Sequence, residues 1–559
     1  MRLGFVGIRN YRGIRSLALP IDPVTALIGE NAYGKSNLLD ALLACLGPGA
    51  DDGRFSFSPE DVGEDPSAPM EFELGFREST EGEWEEDPRC APIRPHVYLS
   101  PNGNRRVSLR VRARPAPTRP SSAVDPPQEC TIELLCVDGR GEQHGPVPGP
   151  ALVELLRERC PFLLLKADRY FTRPSRSRRI DTPARPVSLE DRLAAEITDA
   201  YEALMRPHEP DHDVVVRGGL HAARAYVERF GGERLRERVR HFLPSIPYAA
   251  TGTGVSLAAR SMALMLVLGA LLDARAVQTF GPGAFPIIAI EDAEANLHPV
   301  LLAAVANIID AIPAQKLITT NSGDLLSMLP LPALRRLVRT DRMTRVHRLE
   351  RTTLAADELR RVGFHVKANR GSAFFARAWL LVEGETEFWL MPQFTELVGC
   401  DLAVEGIRIM EFAQCGVAPL IKLADDLGIG WHLLADGDSA GSGYAQAAVS
   451  LLGARPTAEH VTRLDERDLE HALWHAGYAD VYRNAVRITA SKRFAKRPKV
   501  ENPTPTIERA IRARSKPGMA VEVAEAARDR GPEGVPPPIR HAIEATVRLA
   551  RQSASQVPY

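Results

Sequence analysis

Acidic side chains suited to a hard metal cation recur in the second half of this 559-residue chain. Glu383 ends an apolar run that predicts a strand, and Glu387 follows one helical turn later, so both can face one point. Asp436 ends a second apolar run, and Asp438 lies two residues on. Parallel strands bring their carboxyl ends together, so these four acids are expected to converge. Crowded carboxylates need protons or cations, and hard oxygen ligands favour Mg2+ or Mn2+. The alternative is two unrelated surface clusters of acids.

A glycine-rich loop, Gly-Glu-Asn-Ala-Tyr-Gly-Lys-Ser at residues 29–36, has the pattern that holds phosphates. Its glycines let successive backbone N–H groups point at anionic oxygens, Lys35 should reach the β- and γ-phosphates, and Ser36 should bind Mg2+. An apolar strand precedes the loop and a helical pattern, Lys35 to Leu46, follows it, which makes a chance glycine-rich turn the weaker explanation. The residues expected to contact ATP here are Gly29, Asn31, Gly34, Lys35, Ser36 and Asn37.

A second apolar run, residues 286–290, ends in Glu291 and Asp292. After a phosphate-binding loop, such a strand predicts that Glu291 holds Mg2+ through water and that Asp292 orients or activates the attacking water. Between the two motifs, Gly252-Thr253-Gly254 opens a predicted helix and is a candidate for a further phosphate contact, although a simple turn looks the same.

Charge and cysteine usage limit the compartment and the partners. Lys+Arg 70 against Asp+Glu 71 gives a net charge of -1, so a nucleic-acid surface would have to be local. Three basic stretches are candidates for it: 105–119, 173–179 and 491–499. Solvated loops are the stronger interpretation of the first two. The seven cysteines form no Cys-x-x-Cys pair, and no apolar stretch reaches the ~20 residues that span a bilayer. We therefore expect a cytoplasmic protein with no membrane contact. Without a helix-turn-helix or zinc finger, DNA binding would follow the backbone, not the base sequence.

The order of patterns predicts an α/β protein with a phosphate-loop ATPase, an inserted helical arm and a second α/β domain. The expected parts are the ATPase N-terminal part at 1–186, a helical insertion and dimerisation candidate at 187–243, the ATPase C-terminal part at 244–340, a connector at 341–375, the second α/β domain at 376–490, and a helical region at 491–559 that completes its site.

The first half resembles ATP-binding-cassette heads of the RecF/SMC type, which have an Asn-Tyr-Arg-Gly-like opening, a phosphate loop and an acid-ended strand. The resemblance implies that ATP binds between two heads, so a homodimer or higher homo-oligomer is expected. It also makes Asn321 the switch residue that contacts the nucleotide. The family usually carries His at this position and Glu in place of Asp292, so slow ATP hydrolysis is predicted.

The second half matches the Toprim (topoisomerase-primase) pattern, and the resemblance implies that Glu383, Asp436 and Asp438 bind metal with Glu387 close by. The combination with an ATPase head resembles the OLD (overcoming lysogenization defect) family of ATP-dependent endonucleases. That likeness adds Asp468 and Glu470 as ligands of a second metal. It makes Lys516 the cation that stabilises the transition state, with Glu383 and Asp292 as the other catalytic residues. A charged helix face explains Asp468, Glu470 and Lys516 about as well.

The expected function is a DNA endonuclease that uses ATP and two Mg2+ or Mn2+ ions, in phage defence or DNA repair, with a defence partner protein as a further expectation. Two other functions stay open. One is a DNA-binding ATPase whose Toprim domain is only structural, and the other is an ATPase that regulates a partner protein.

Overall fold

The computed structural model describes residues 1–30, 33–47, 55, 57–115, 130–166, 171–172, 188–204, 212–240, 257–295, 297–340, 343–368, 371–489 and 502–554. These residues form two compact units, Met1–Val346 and His347–Tyr559. Among the described helices, none is both long enough and apolar enough to cross a bilayer.

The described residues of the first unit contain thirteen strands, the last of which ends at His347, one residue past its boundary. In chain order they are β1 Arg2–Tyr11, β2 Ile14–Pro20, β3 Val24–Ile28, β4 Met70–Arg77, β5 Tyr98–Leu99, β6 Arg105–Pro115, β7 Cys130–Val137, β8 Phe162–Leu165, β9 Phe171–Thr172, β10 Ile287–Ile290, β11 Gln315–Thr319, β12 Leu334–Thr340 and β13 Met343–His347. An antiparallel sheet has the order β2-β1-β4-β6-β5, with β7 also paired to β6, and a seven-stranded sheet has the order β13-β12-β3-β11-β10-β8-β9.

The seven-stranded sheet carries the phosphate loop. Strands β8, β10 and β11 are buried along their whole length, as expected of parallel strands covered on both faces. Central strand β3 pairs in parallel with β11 and β12 and ends at Ile28, so residues 29–34 leave from its carboxyl end. The three opening strands and the helix Lys35–Leu46 form where the sequence pattern predicted them.

The helices of the first unit are α1 Lys35–Leu46, α2 Glu83–Glu86, α3 Pro150–Arg159, α4 Leu189–Leu204, α5 His212–Arg229, α6 Glu233–Val239, α7 Leu257–Phe280, α8 Pro299–Ala311 and α9 Gly323–Met328. Helices α4 and α5 pack against each other and against α7, and Arg275 of α7 donates to the backbone oxygen of Asp191 at 3.2 Å. The segment predicted as a helical insertion is therefore helical where it is described; a dimer contact through it stays a prediction.

The second unit has a sheet of four parallel strands in the order β15-β14-β16-β17. Its strands are β14 Ala378–Val382, β15 Ile407–Glu411, β16 Gly430–Ala435 and β17 Val461–Arg463. Its helices are α10 Ala356–Val362, α11 Glu385–Leu397, α12 Leu402–Glu405, α13 Val417–Asp426, α14 Ser439–Ser450, α15 Thr457–His460, α16 Leu469–Leu473, α17 Ala479–Thr489, α18 Pro503–Arg514, α19 Lys516–Arg528 and α20 Pro537–Ala554. A continuous apolar core joins β14 and α11 to α16–α20.

Arg335 of β12 supplies a stability test for the first unit, because its side chain is 1% exposed. Its guanidinium donates to the backbone oxygens of Pro20 at 3.1 Å and Pro332 at 2.7 Å, and it pairs with Asp22. Arg335→Met removes these donors and leaves the carboxylate without its cation, so we expect the free energy of unfolding in urea to fall by about 3 kcal/mol. The exposed Arg345→Met should change it by less than about 0.5 kcal/mol. Equal effects of the two changes would contradict the buried-pair explanation.

Candidate nucleotide and metal sites

The structure describes residues 29, 30 and 33–36 of the glycine-rich loop, and phosphate binding by this loop stays a prediction. Gly29 and Gly34 have φ values of 145° and 87°, which side-chain-bearing residues rarely adopt. A Cβ at Gly34 would also lie 2.9 Å from a side-chain carbon of Ile14, so space as well as torsion requires glycine there. Ser36 is exposed and Asn37 half-buried in the first turn of α1, whereas Asn31 lies outside the described residues.

Lys35 and Asn321, 286 positions apart in sequence, meet at this loop. The Lys35 side chain is 4% exposed, and its ammonium donates to the backbone oxygen of Gly29 and, at 3.1 Å, to the amide oxygen of Asn321. Burial lowers the pKa of Lys35, and nearby Asp292 and Glu294 oppose that shift. The predicted lysine and switch residue therefore share one site. The other predicted phosphate contact, Gly252-Thr253-Gly254, lies outside the described residues.

The predicted acids Glu291 and Asp292 follow β10 directly, beside the end of β11. Asp292 has a φ of 43°, a strained value for a residue with a side chain, and its N–H donates to the Thr319 hydroxyl at 2.9 Å. Strain of this kind costs roughly 1–3 kcal/mol and is concentrated at functional sites. The bond to Thr319 thus fixes the backbone of Asp292, and its carboxylate is near enough to raise the pKa of Lys35.

Glu294 is a residue that the sequence reasoning missed. Its carboxylate accepts from the Thr320 hydroxyl at 2.7 Å and from the Asn321 N–H at 2.6 Å. It therefore fixes the segment that presents Asn321 to Lys35. The available signal was its position three residues after Glu291, in the same acidic loop.

In the second unit, strand register brings the predicted carboxylates to one edge. Strand β14 pairs in parallel with β16, and Glu383 and Asp436 are the residues directly after these two strands. The loop after β17 lies alongside, because the Gly437 N–H donates to the backbone oxygen of Glu466 at 3.0 Å. A Cβ at Gly437 would lie 2.3 Å from that oxygen, so only glycine permits the approach. This loop leads into Asp468 and α16.

The acids at this edge are close enough to change one another's ionisation. Burial, then the charge of Asp438, raises the pKa of Glu383. Burial raises the pKa of Glu387 to about 7, with Glu470 adding to the shift. For Asp436 the cause is again burial first, then the surrounding acids, which together raise its pKa to about 8. Glu383, Glu387 and Asp436 are therefore near enough to influence one another's charge, whereas their convergence on a single cation stays a prediction.

Hydrogen bonds hold one oxygen of several of these acids. Asp438 caps α14 by accepting from the Gly441 N–H at 2.7 Å, and Asp468 caps α16 by accepting from the His471 N–H at 2.9 Å. Glu470 is buried and lies 3.4 Å from the Lys516 ammonium. Burial lowers the pKa of Lys516, but Glu470 and the other acids around it outweigh this, so the net shift is upward.

A divalent cation is implied by this donor set, and one observation in particular fits it. The buried Oε2 of Glu383 has no hydrogen-bond partner within the described chain, so this oxygen is desolvated and unsatisfied. In the same described ranges, no three His, Cys, Asp or Glu side chains already enclose a single point as ligands would. The carboxylates share a region and suit Mg2+ or Mn2+ chemically, in an open arrangement.

Two further side chains at this edge escaped the sequence reasoning. The Thr386 hydroxyl donates to Glu470 at 2.9 Å. The ring of His471 bonds to the Asp468 carboxylate through Nδ1 and to the Thr504 hydroxyl at 2.9 Å through Nε2. Thr386 and His471 directly adjoin predicted ligands in the sequence, which was the only signal. The partner of Thr386 lies 84 residues away, and His471 bonds to Asp468 three residues away and to Thr504 33 residues away.

The basic stretch 105–119, a candidate for DNA contact but more simply interpreted as a solvated loop, is neither loop nor free basic surface where it is described. Its described part, Arg105–Pro115, is strand β6. Arg110 and Arg112 pair with Glu73 and Glu71 of β4 at 2.8 and 2.6 Å, because the antiparallel register sets these acids opposite them. The other two basic stretches, 173–179 and 491–499, lie outside the described residues.

Comparison with known proteins agrees with this arrangement. A family model described as "Overcoming lysogenization defect protein-like, TOPRIM domain" matches residues 374–438, and one described as "Protein of unknown function (DUF2813)" matches residues 1–119 and 256–373. A curated Escherichia coli (strain K12) protein, "Uncharacterized protein YbjD", is 32% identical over 582 residues, covering 99% of this chain and 100% of the relative. The chain belongs to the OLD-like family, and its Toprim domain begins in the second unit at residue 374.

Two solved structures are similar to parts of the chain. The C-terminal region of the Burkholderia pseudomallei OLD protein is 23% identical, covers 32% of this chain and 99% of its own, and has a TM-score of 0.28. The SMC head domain from Thermotoga maritima is 12% identical, covers 63% of this chain and 100% of its own, and has a TM-score of 0.30.

The raised pKa of Asp436 gives a pH test. An acid whose pKa is higher in the folded than in the unfolded state stabilises the fold at low pH, and this contribution is lost as the pH rises through the folded value, here about 8. In EDTA, the melting temperature of the protein should therefore fall between pH 6 and pH 9, and Mg2+ should restore part of it at pH 9. Asp436→Asn should reduce the fall, whereas Asp401→Asn, at the cap of α12, should not. A fall that persists unchanged in Asp436→Asn would show that the crowded acids are not its cause.

Glu294 gives a test of the nucleotide site. Glu294→Ala removes both acceptors that hold residues 320 and 321, so Asn321 should lose its fixed position beside Lys35. We expect ATP turnover, measured as phosphate release, to fall about 10-fold or more. Asp324→Ala, a change of an exposed acid in the first turn of α9, is the matched control and should leave turnover unaltered. Unchanged turnover in Glu294→Ala would refute this role.

Proposed function

We propose that this protein is an ATP-dependent, metal-dependent DNA endonuclease whose first unit binds and slowly hydrolyses ATP and whose second unit cuts phosphodiester bonds. The observation that supports it most is the crowding of partly buried carboxylates at one edge of a parallel sheet, with a lysine among them. Carboxylates in that number are costly to hold together unless cations neutralise them. An apolar or neutral edge would serve a purely structural domain at lower cost.

In this proposal the acids divide into two sets. Glu383, with its unsatisfied buried oxygen, would hold one cation together with Asp436 and Asp438, and Glu387 close by. Asp468 and Glu470 would hold a second. Bound Mg2+ or Mn2+ would lower the pKa of an attacking water and neutralise charge on the leaving 3′ oxygen.

Lys516 has the position and charge for the remaining role. Lys516 is the first residue of α19, and its side chain is about half exposed. Its ammonium lies 3.4 Å from Glu470, so the side chain contacts both the acids and solvent. Because the surrounding acids raise its pKa, it stays protonated at neutral pH. A fixed ammonium at this point would stabilise the negative charge that develops on the phosphoryl oxygens.

Nucleotide use in the first unit rests on the meeting of Lys35, Asp292 and Asn321. The carboxylate of Asp292 is shorter than the Glu usual in related heads, and the amide of Asn321 does not titrate, so hydrolysis is expected to be slow. We propose that a homodimer or larger homo-oligomer binds the DNA backbone without sequence preference, that nucleotide state controls access to the acids, and that the role is phage defence or DNA repair.

Nicking of supercoiled plasmid in Mg2+ or Mn2+ tests this function. Asp436→Ala should reduce nicking at least about 100-fold, because it removes a central carboxylate of the site. Glu396→Ala, on the exposed side of α11, should nick like the unaltered protein. Lys35→Ala should abolish ATP binding and, with it, the ATP dependence of nicking.

The other two functions predict different results from the same variants. Absence of metal-dependent nicking in the unaltered protein, with DNA binding retained, would favour a DNA-binding ATPase with a structural Toprim domain. An ATPase that regulates a partner protein would lose its cellular function in Lys35→Ala but keep it in Glu383→Ala.

A further inference from the structure

Thr386 is a buried side chain of the acidic edge to which the proposed reaction gives no role. It lies in the first turn of α11, between Glu385 and Glu387, and is 2% exposed. Its hydroxyl donates to Oε1 of Glu470 at 2.9 Å, across 84 residues of sequence. This contact links the helix that carries one set of acids to a residue of the other set.

Two donors from the described part of the chain meet the same oxygen of Glu470. Oε1 accepts from Thr386, and the Lys516 ammonium lies 3.4 Å from it. An ionised carboxylate has several acceptor sites on each of its two oxygens, so donors gathered on Oε1 fix the group's rotation and leave Oε2 for another partner. Since Glu470 is buried, loss of a donor would not be made good by water.

A second buried threonine on the same helix shows what an ordinary structural hydroxyl does here. Thr395 of α11 is buried as well, but its hydroxyl donates to the backbone oxygen of Pro392, one turn earlier, at 2.8 Å. That is the usual local bond of a helical threonine. The hydroxyl of Thr386 instead donates a hydrogen bond to a carboxylate on a different helix, α16.

We infer that Thr386 is a positioning residue that orients Glu470 as a cation ligand and couples the second set of acids to α11. The inference rests on the proposed function in one respect only, namely that Glu470 is a ligand. Thr386 itself contacts neither cation nor DNA in this role; it acts through the carboxylate that it holds.

The test is the binding of Mn2+ to the full-length protein without nucleotide, measured by titration calorimetry. Thr386→Val keeps the shape of the side chain and removes the donor. The affinity of one of the protein's Mn2+ sites, the site that includes Glu470, should therefore fall about 10- to 100-fold. Thr386→Ser keeps the donor and should bind like the unaltered protein. Thr395→Val, which removes the comparison hydroxyl, should leave Mn2+ affinity unchanged.

Two outcomes separate this inference from the proposed function. If the unaltered protein binds Mn2+, Glu470→Ala weakens that binding and Thr386→Val does not, the positioning role of Thr386 is overturned and the metal site stands. If the unaltered protein binds no Mn2+ at all, the proposed function fails first. Circular dichroism checks the fold of each variant, and Thr386→Ala compared with Thr386→Ser supplies the same contrast should the valine variant not fold.

Discussion

Repulsion between neighbouring carboxylates is the constraint on which the second unit depends. Backbone geometry alone places Glu383 and Asp436 side by side, because each directly follows one of two paired parallel strands. Burial then removes the water that would screen them, and the pKa of Asp436 rises to about 8. The sheet thus holds its acids together at a free-energy cost. Protons, cations or a fixed lysine must offset that cost, and each is also a component of phosphoryl-transfer chemistry.

The first unit has the opposite arrangement of charge, a buried cation that nearby acids stabilise. There the buried group is a cation, Lys35, and its pKa is lowered by loss of water. Acids from the loop after β10 oppose this shift, and one of them, Glu294, also fixes the backbone of the segment that contacts the lysine. The first unit buries one cation near acids, and the second crowds several acids near one cation. In both units the charge balance of the site therefore depends on the ligand that binds there.

Local sequence patterns predicted much of this arrangement, but they could not predict its long-range contacts. Strands β1–β3, helix α1 and the strand-end acids could be read from runs of apolar residues that end in glycine or acid. The donation from Thr386 to Glu470 could not, because nothing in either segment specifies a partner 84 residues away. The basic stretch in β6 was interpreted as a solvated loop or a nucleic-acid contact, and neither interpretation could foresee its partners for the same reason. Its charges are balanced by acids of β4, which only the antiparallel register places opposite them.

Asp438 and Asp468 each have two functions at this edge: they are candidate metal ligands, and they also stabilise the start of a helix. Each side chain caps a helix through one carboxylate oxygen, which contributes roughly 1 kcal/mol to that helix. Replacement by alanine would therefore remove a cap as well as a charge, and a lost activity could reflect either. Asparagine keeps the acceptor oxygen and removes only the charge, so it isolates the electrostatic part. Where a ligand is also a helix cap, the position of the ligand is set by the backbone itself, and the site is as rigid as the helix that it begins.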